Sequence, residues 1–239
     1  MEAALFSFAF IVIAALAFLV SSSLDKRILV IYALAAAIYL GVDDFITGLP
    51  SVVKGLSFVG VHWNWTGKLF SLIISALIIV VLRLRPTAVG LTLKQHHLKV
   101  GLVALLLFVV WGSCLGLLFK PGVPDVETLL FQATMPGLAE EIVYRGIVPA
   151  ILLGLFYQKQ PIDDIPWVVI LATALVFGAW HGLQFSGGAF GFDVMSALFP
   201  FIGSIPGGWL RFKTGSLLFP ILAHSIANVA FHVAGGIVA

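Results

Sequence analysis

Two adjacent glutamates and an arginine lie inside an otherwise apolar run, MPGLAEEIVYRG, at residues 135–146. On insertion scales, one charged side chain at the centre of a bilayer costs about 2.5 to 3.5 kcal/mol, so three of them need internal partners. In a helix, Glu141 and Arg145 lie four residues apart on one face, with the acid N-terminal to the base, and we expect them to pair. Glu140 points about 100° away from that pair. It is therefore predicted to be the carboxylate left free for chemistry.

Two further pairs with the same four-residue spacing lie in separate apolar segments. They are Phe177 with His181 and His224 with Asn228. Residues at i and i+4 share a helix face, so each segment can present a polar stripe to a common interior. A single intramembrane histidine or asparagine is more typical of packing and interhelical hydrogen bonding than of catalysis. Together with Glu140, however, these side chains are the groups that a water-activating site requires.

These side chains indicate amide hydrolysis. Glu140 could act as a general base that takes a proton from water and later donates it to the leaving amine. One histidine could orient that water or bind a metal, while Asn228 and the second histidine could donate hydrogen bonds to the developing oxyanion. A zinc site formed by Glu140, His181 and His224 is conceivable from the ligand types. The sequence lacks a His-Glu-x-x-His pair, so the need for a divalent metal stays open.

The composition predicts a polytopic membrane protein made of α-helices. Of the 239 residues, 61% are hydrophobic and only 10% are charged, whereas a soluble domain has about 45–50% apolar and about 25% charged residues. No basic cluster is interleaved with aromatic residues, which argues against nucleic acid as a partner. The single cysteine, Cys114, lies in an apolar run and is predicted to be a small buried residue without a disulfide partner.

Eight segments are candidates for crossing about 30 Å of hydrocarbon, which takes about 20 apolar residues. The first, with no basic residue before it, is predicted to be a retained span and not a signal peptide. Pro136 could start the fifth helix anew. Since no internal repeat is present, one integral domain over residues 1–239 is expected. The candidate spans are Ala4 to Ser22, Arg27 to Val42, Gly67 to Leu84, Lys99 to Phe119, Thr128 to Tyr157, Pro166 to Leu183, Phe192 to Arg211 and Ser216 to Val238.

The distribution of basic residues predicts the orientation of these spans. If the spans alternate, one set of loops carries most of the lysines and arginines, and the other carries only Lys54, Lys68 and Lys120. The positive-inside rule then places the first set in the cytoplasm and both termini outside. We expect a multi-pass protein of a bacterial cytoplasmic membrane, in contact with membrane lipids.

The three clusters resemble the motifs of a known family, the CPBP intramembrane proteases. This family is also called ABI and includes the type II CAAX prenyl endopeptidases. Its pattern is Glu-Glu-x-x-x-Arg, then Phe-x-x-x-His, then His-x-x-x-Asn, on separate membrane helices. The chain has all three motifs in that order, at residues 140–145, 177–181 and 224–228. The resemblance covers about residues 132–232, within a protease core expected over about residues 100–239.

This resemblance implies a role for each motif residue. Glu140 resembles the catalytic base of the family, and His181 resembles the residue that positions the attacking water. His224 and Asn228 correspond to the groups that support the oxyanion. Glu141 and Arg145 correspond to structural supports. The family is described both as metalloproteases and as metal-independent enzymes, so the resemblance does not decide between zinc and no cofactor.

Two classes of function are compatible with these residues. The first is an intramembrane endopeptidase that cleaves a membrane-associated or lipidated peptide, for example a prenylated CAAX-type peptide. The alternative is a non-enzymatic membrane protein, either a transporter or a scaffold of the bacteriocin-immunity type, that uses the same polar cluster. The sequence shows no inverted repeat, which weighs against the transporter.

Overall fold

The computed structural model describes residues 26–53, 55–60, 62–154, 164–186 and 188–238, and this part is helical apart from one hairpin. The predicted helical class is confirmed, whereas the predicted span Ala4 to Ser22 lies outside the described residues. In chain order the elements are α1 (Lys26–Val52), α2 (Trp65–Val81), α3 (Pro86–Val89), α4 (Leu98–Phe119), α5 (Val126–Glu141), a π-helix (Ile142–Ile147), α6 (Val148–Leu152), α7 (Trp167–Gly182), β1 (Leu183–Ser186), β2 (Ala189–Phe192), α8 (Val194–Thr214) and α9 (Leu218–Ile237).

Among the described residues, three helices are long and apolar enough to cross a membrane by length and composition. They are Val30–Val52 within α1, and all of α4 and α9, while α2 and α7 are apolar but shorter. Large apolar side chains such as Ile38, Val80 and Leu106 are exposed on the surface of these helices, as expected where a helix faces lipid. The chain is therefore a helical membrane protein. The total of about eight spans and their orientation stay predictions.

Helix α1 is longer than the predicted second span, which ends at Val42. The helix continues to Val52 and includes two aspartates, Asp43 and Asp44. Both find partners on other helices. Ser71 Oγ donates to Asp43 Oδ1 at 2.6 Å, and Trp180 Nε1–H donates to Asp44 Oδ1 at 2.8 Å. Because hydrogen bonds satisfy these carboxylates, the helix does not need to end before them.

The alanine-rich centre of α1 packs closely inside the protein. Ala33, Ala36 and Ala37 are buried at 4%, 0% and 1% exposure. Small side chains let neighbouring helix backbones approach one another. This part of α1 contributes to the main apolar core together with Ile147 and Ile151.

The predicted fifth span is one helical segment with a π-helical middle. It begins with Asp125, whose side chain accepts from the Thr128 N–H at 2.7 Å and caps α5. Pro136 lies inside α5, so the prediction that it starts a new helix is wrong. The irregularity follows at Ile142–Ile147, where the π-helix adds a residue per turn directly after the two glutamates.

A short antiparallel hairpin joins α7 to α8. Leu183 pairs with Phe192 and Ser186 with Ala189. The sequence predicts only a glycine-marked joint here, because four-residue strands are too short to show a two-residue period.

Helices α4 and α9 approach each other through glycines of α4. A Cβ at Gly112 would overlap the carbonyl oxygen of Ala227, and a Cβ at Gly116 would overlap that of Phe231. Only glycine allows this backbone contact, which fixes the height of α9 and hence of its neighbouring residues His224 and Asn228.

Candidate active site

The six predicted site residues come together around one cavity of about 670 Å³. They come from the end of α5, the π-helix, α7 and α9. From the predicted span ends, Glu140 and His181 would lie nearer one membrane face and His224 nearer the other. In the structure this difference is absent, since His224 contacts both glutamates. The site residues are Glu140, Glu141, Arg145, His181, His224 and Asn228.

The carboxylate of Glu140 is paired, contrary to the prediction that it is free. Its Oε1 accepts from Lys68 Nζ at 2.7 Å, and both side chains are only 10% exposed. Its Oε2 lies 3.8 Å from His224 Nε2 and has no hydrogen-bond partner among the described residues. The two oxygens of one carboxylate therefore differ: Oε1 binds the ammonium, whereas Oε2 is buried without a hydrogen-bond partner among the described residues.

The sequence places Lys68 in an outer loop, and this prediction is wrong. The residue lies in the first turn of α2 and is buried at 8% exposure. Its ammonium also lies 5.4 Å from the centre of the Trp180 ring, within the range of a cation–π contact. One signal could have indicated such a residue: two glutamates and one arginine at membrane depth leave a negative charge without a partner.

Glu141 joins two of the sequence motifs. Its Oε1 lies 2.9 Å from Arg145 Nη1, as the four-residue spacing predicts, and 2.8 Å from His224 Nδ1. The side chains of Glu141 and Arg145 are 3% and 4% exposed. This second glutamate therefore binds α9 to the π-helix and orients the histidine ring.

The hydrogen bonds of the two histidines place a proton on Nδ1 of each ring. His224 Nδ1 faces the Glu141 carboxylate, and His181 Nδ1 lies 2.8 Å from the carbonyl oxygen of Phe177. A carbonyl or a carboxylate can only accept, so Nδ1 carries the proton in both rings. Each neutral ring then keeps the lone pair of Nε2 as an acceptor. Both rings line the cavity.

Phe177 and Gln132 support the motif residues and are not among the predicted site residues. The Phe177 ring lies 4.4 Å from the Arg145 guanidinium and 4.5 Å from the His181 ring centre. Gln132 Oε1 accepts from Asn228 Nδ2 at 2.8 Å. One N–H of the Asn228 amide stays available for another acceptor. The recurring four-residue spacing indicates Phe177 in the sequence, whereas no motif or spacing indicates Gln132.

The remaining wall of the cavity contains several aromatic side chains. The ring centre of His232 lies 5.1 Å from that of Phe231 and 6.2 Å from that of Trp63. Cys114 is exposed on α4, so the prediction that it is buried is wrong. Its side chain lies on a helix whose outer face is apolar, so a small sulfur side chain is tolerated there. Aromatic side chains around the cavity are Trp63, Phe108, Trp111, Phe131, Trp180, Phe199 and Phe231.

The arrangement of donors does not favour a metal at Glu140, His181 and His224. Among the described residues, no three His, Cys, Asp or Glu side chains are grouped closely enough to hold a metal ion. The ammonium of Lys68 already binds Glu140 Oε1, where a metal cation would compete with it. We therefore derive no step through a metal.

The comparison with known families connects this geometry to a protein class. Residues 123–230 match the family described as type II CAAX prenyl endopeptidase Rce1-like. Over this segment, the match supports the resemblance of the chain to the CPBP family. The match supports a CAAX-type intramembrane protease, that is, a peptide hydrolase in a membrane. No curated protein and no solved structure matched the chain.

The Rce1-like segment includes every predicted site residue but not the whole site. It starts before α5 and ends within α9, so Lys68 and all of α1 and α2 lie outside it. The charged partner of Glu140 is therefore supplied by a part of the chain that the family match does not cover.

Proposed function

We propose that this Rce1-like protein is an intramembrane endopeptidase in which Glu140 activates water to hydrolyse a peptide bond of a membrane-associated substrate. One observation carries the proposal. Glu140 Oε2 has no hydrogen-bond partner among the described residues and lies 3.8 Å from His224 Nε2, and both residues line the cavity of about 670 Å³. A water between these two atoms would meet an acceptor on each side.

The reaction follows from these acceptors. The water oxygen attacks the carbonyl carbon of the peptide while Glu140 Oε2 takes one of its protons. The resulting tetrahedral intermediate collapses when the C–N bond breaks, and Glu140 returns the proton to the leaving nitrogen. The products are a carboxylic acid and an amine, and the glutamate is regenerated. A general base of this kind contributes about 10²- to 10⁴-fold to the rate.

The histidines and the asparagine take different parts in this proposal. As neutral rings with Nε2 lone pairs, His224 and His181 accept hydrogen bonds and orient the water. The second N–H of Asn228 can donate to the oxyanion, and Gln132 fixes the amide in place through its 2.8 Å bond. His224 can join Asn228 as an oxyanion donor only when its ring is doubly protonated.

Glu141 and Arg145 support the reacting groups without contacting the substrate. Their pair holds His224 Nδ1 and therefore the direction of its Nε2. A third group that orients a catalytic histidine is a general requirement of such sites.

The shape of the cavity favours a substrate with an apolar part. Its volume of about 670 Å³ falls within the range of about 300–1,000 Å³ found for ligand pockets. The lining combines the polar groups around Glu140 and His224 with several large aromatic side chains, among them Trp111 and Phe199. A lipidated peptide, such as a prenylated CAAX-type peptide, combines the two kinds of surface that this cavity offers.

Cleavage by purified protein in liposomes tests the proposal. The substrates are a farnesylated CAAX peptide and a panel of transmembrane reporter peptides, with and without a chelator. We expect wild type to cleave at least one of them and Glu140→Gln to lose at least about 100-fold in kcat. We expect the chelator to have no effect.

Asp164→Asn serves as the matched control, because this carboxylate is exposed and lies outside the cavity. It should keep wild-type cleavage. Wild-type processing by Glu140→Gln would contradict the glutamate mechanism, and absence of cleavage of every peptide, together with solute flux in the same liposomes, would favour a transporter.

A further inference from the structure

The N-terminal helices α1 and α2 reach the glutamate of the site from outside the Rce1-like segment. Lys68 is one turn into α2, and the start of that helix is fixed by Asn64, whose side chain accepts from the Gly67 N–H at 2.9 Å. From there the lysine side chain extends to Glu140, 72 residues along the chain. A buried lysine requires a partner of opposite charge, and Glu140 is that partner.

The lysine is held from more than one side. Its ammonium lies over the Trp180 ring, and the same indole donates its Nε1–H to Asp44 Oδ1 at 2.8 Å. Lys68 and Asp44 also border a second, small cavity of about 10 Å³ together with Glu140 and Tyr144. Residues of α1, α2 and α7 therefore fix the ammonium in one position.

We propose that Lys68 is a positioning residue for Glu140. By binding Oε1, the ammonium holds the carboxylate in one orientation and leaves Oε2 as the oxygen that faces His224 and the water. The inference rests on the proposed function, because it assigns a purpose to the geometry of the same base. It also assigns a role in the reaction to the N-terminal helices, which contain none of the family motifs.

The charge balance of the site explains why a lysine is suited to this task. Arg145 neutralises Glu141, so Glu140 would be an unpaired buried charge without a second cation. An ammonium is a compact charge with three donors on a flexible stem, and it can bind one carboxylate oxygen without covering the other. A guanidinium tends to bind both oxygens of a carboxylate at once, which would occupy Oε2.

The different ways in which an ammonium and a guanidinium bind a carboxylate can be tested kinetically with a matched set of variants. The variants are Lys68→Met, Lys68→Arg and Lys68→Cys, the last in a Cys114→Ala background so that it carries a single cysteine. Alkylation of the introduced thiol with 2-bromoethylamine restores a side chain with an ammonium of nearly the same length. Lys120→Met removes an exposed lysine and is the control.

We expect Lys68→Met to lower kcat by about 100-fold with little change in KM, since a misplaced catalytic group costs about that much. Lys68→Arg should not restore the rate, whereas aminoethylation of the cysteine variant should recover most of it. Lys120→Met and Cys114→Ala should behave as wild type. Wild-type kcat in Lys68→Met, with Glu140→Gln inactive, would overturn the inference and leave the proposed function intact.

A second measurement does not depend on activity. Thermal unfolding in detergent is compared for Lys68→Met, Glu140→Gln and the double variant. Because removing one partner leaves a buried charge unpaired, each single variant should unfold at a lower temperature than wild type. The decrease in unfolding temperature of the double variant should be smaller than the sum of the decreases of the two single variants. Additive shifts would overturn the pairing, and hence the inference, whether or not the protein cleaves any tested peptide.

Discussion

The Rce1-like segment and the N-terminal helix pair α1–α2 satisfy their buried charges in different ways. In the Rce1-like segment, Glu141 and Arg145 pair within about one helical turn. In α1 and α2, the partners come from far along the chain: Asp43 binds Ser71, 28 residues away, and Lys68 binds Glu140, 72 residues away. Local pairs can be recognised from spacing in the sequence, whereas distant pairs depend on how the helices pack.

The two regions also differ in what the paired groups hold. The local pair orients His224 inside the family segment. The distant pairs attach α1 and α2 to one another and to the site. The motif residues are therefore arranged by the family segment, while the environment of Glu140 is completed by helices outside it.

Breaking the local pair should have the largest effect on stability. Arg145→Met leaves the Glu141 carboxylate, buried at 3% side-chain exposure, with His224 as its one remaining partner among the described residues. Removal of one member of a buried pair typically costs about 3–5 kcal/mol. We expect the free energy of unfolding in detergent to fall by about that amount, measured by denaturant titration.

The control for this variant is Arg83→Met, which removes an exposed arginine and should change the free energy of unfolding by less than about 0.5 kcal/mol. The double variant Glu141→Gln with Arg145→Met should be more stable than Arg145→Met alone, because the unpaired charge is gone. If Arg145→Met lowered the free energy of unfolding no more than Arg83→Met does, the pair of Glu141 and Arg145 would not contribute to stability.

Spacing predicts the local part of the site because helical periodicity fixes it. Glu141 and Arg145 meet even though the backbone between them is π-helical, since the side chains of both keep to the same side. The convergence of His181 and His224 on the glutamates is expected from the common polar stripes. The π-helix itself is not predictable, because no residue in IVYRGI forbids an α-helix. The irregularity that the sequence allows is a new helix start at Pro136.

The distant part of the site is not predictable from periodicity. Lys68 lies near the start of an apolar helix, which is where a loop lysine is also expected. Asp43 and Asp44 favour a second span that ends before them, because two acids in a row disfavour membrane insertion. Their partners Ser71 and Trp180 are known only from the packing of α1 against α2 and α7.

A distant pair can be weakened without removing a charge. Ser71→Ala removes the hydroxyl that donates to Asp43 at 2.6 Å. Since hydrogen bonds to charged groups contribute about 1.5–3 kcal/mol, the free energy of unfolding should fall by that amount, less than for Arg145→Met. Thr134→Ala is the control, because this exposed hydroxyl bonds, within the part of the chain that the structure describes, only to carbonyl groups of its own helix. If Ser71→Ala lowered the free energy of unfolding as much as Arg145→Met does, the expectation that the local pair contributes more to stability than the distant pair would be contradicted.

The smallest effect is expected at the start of the Rce1-like segment, where Asp125 caps α5. The Thr128 backbone N–H, with a smaller contribution from its hydroxyl, holds the pKa of the exposed Asp125 carboxyl below its ordinary value of 3.8, and His62 Nε2 at 4.0 Å acts in the same direction. A depressed pKa in the folded state means that this contribution to stability is fully present above pH 3.8 and is lost as the pH falls through the folded value.

Asp125→Ala should therefore lower the unfolding temperature slightly at neutral pH, and its unfolding temperature should converge with that of wild type in acid. Asp125→Asn keeps a capping side chain and should show less of this pH dependence, whereas a difference between Asp125→Ala and wild type that persists at low pH would show that the charge is not what the cap contributes.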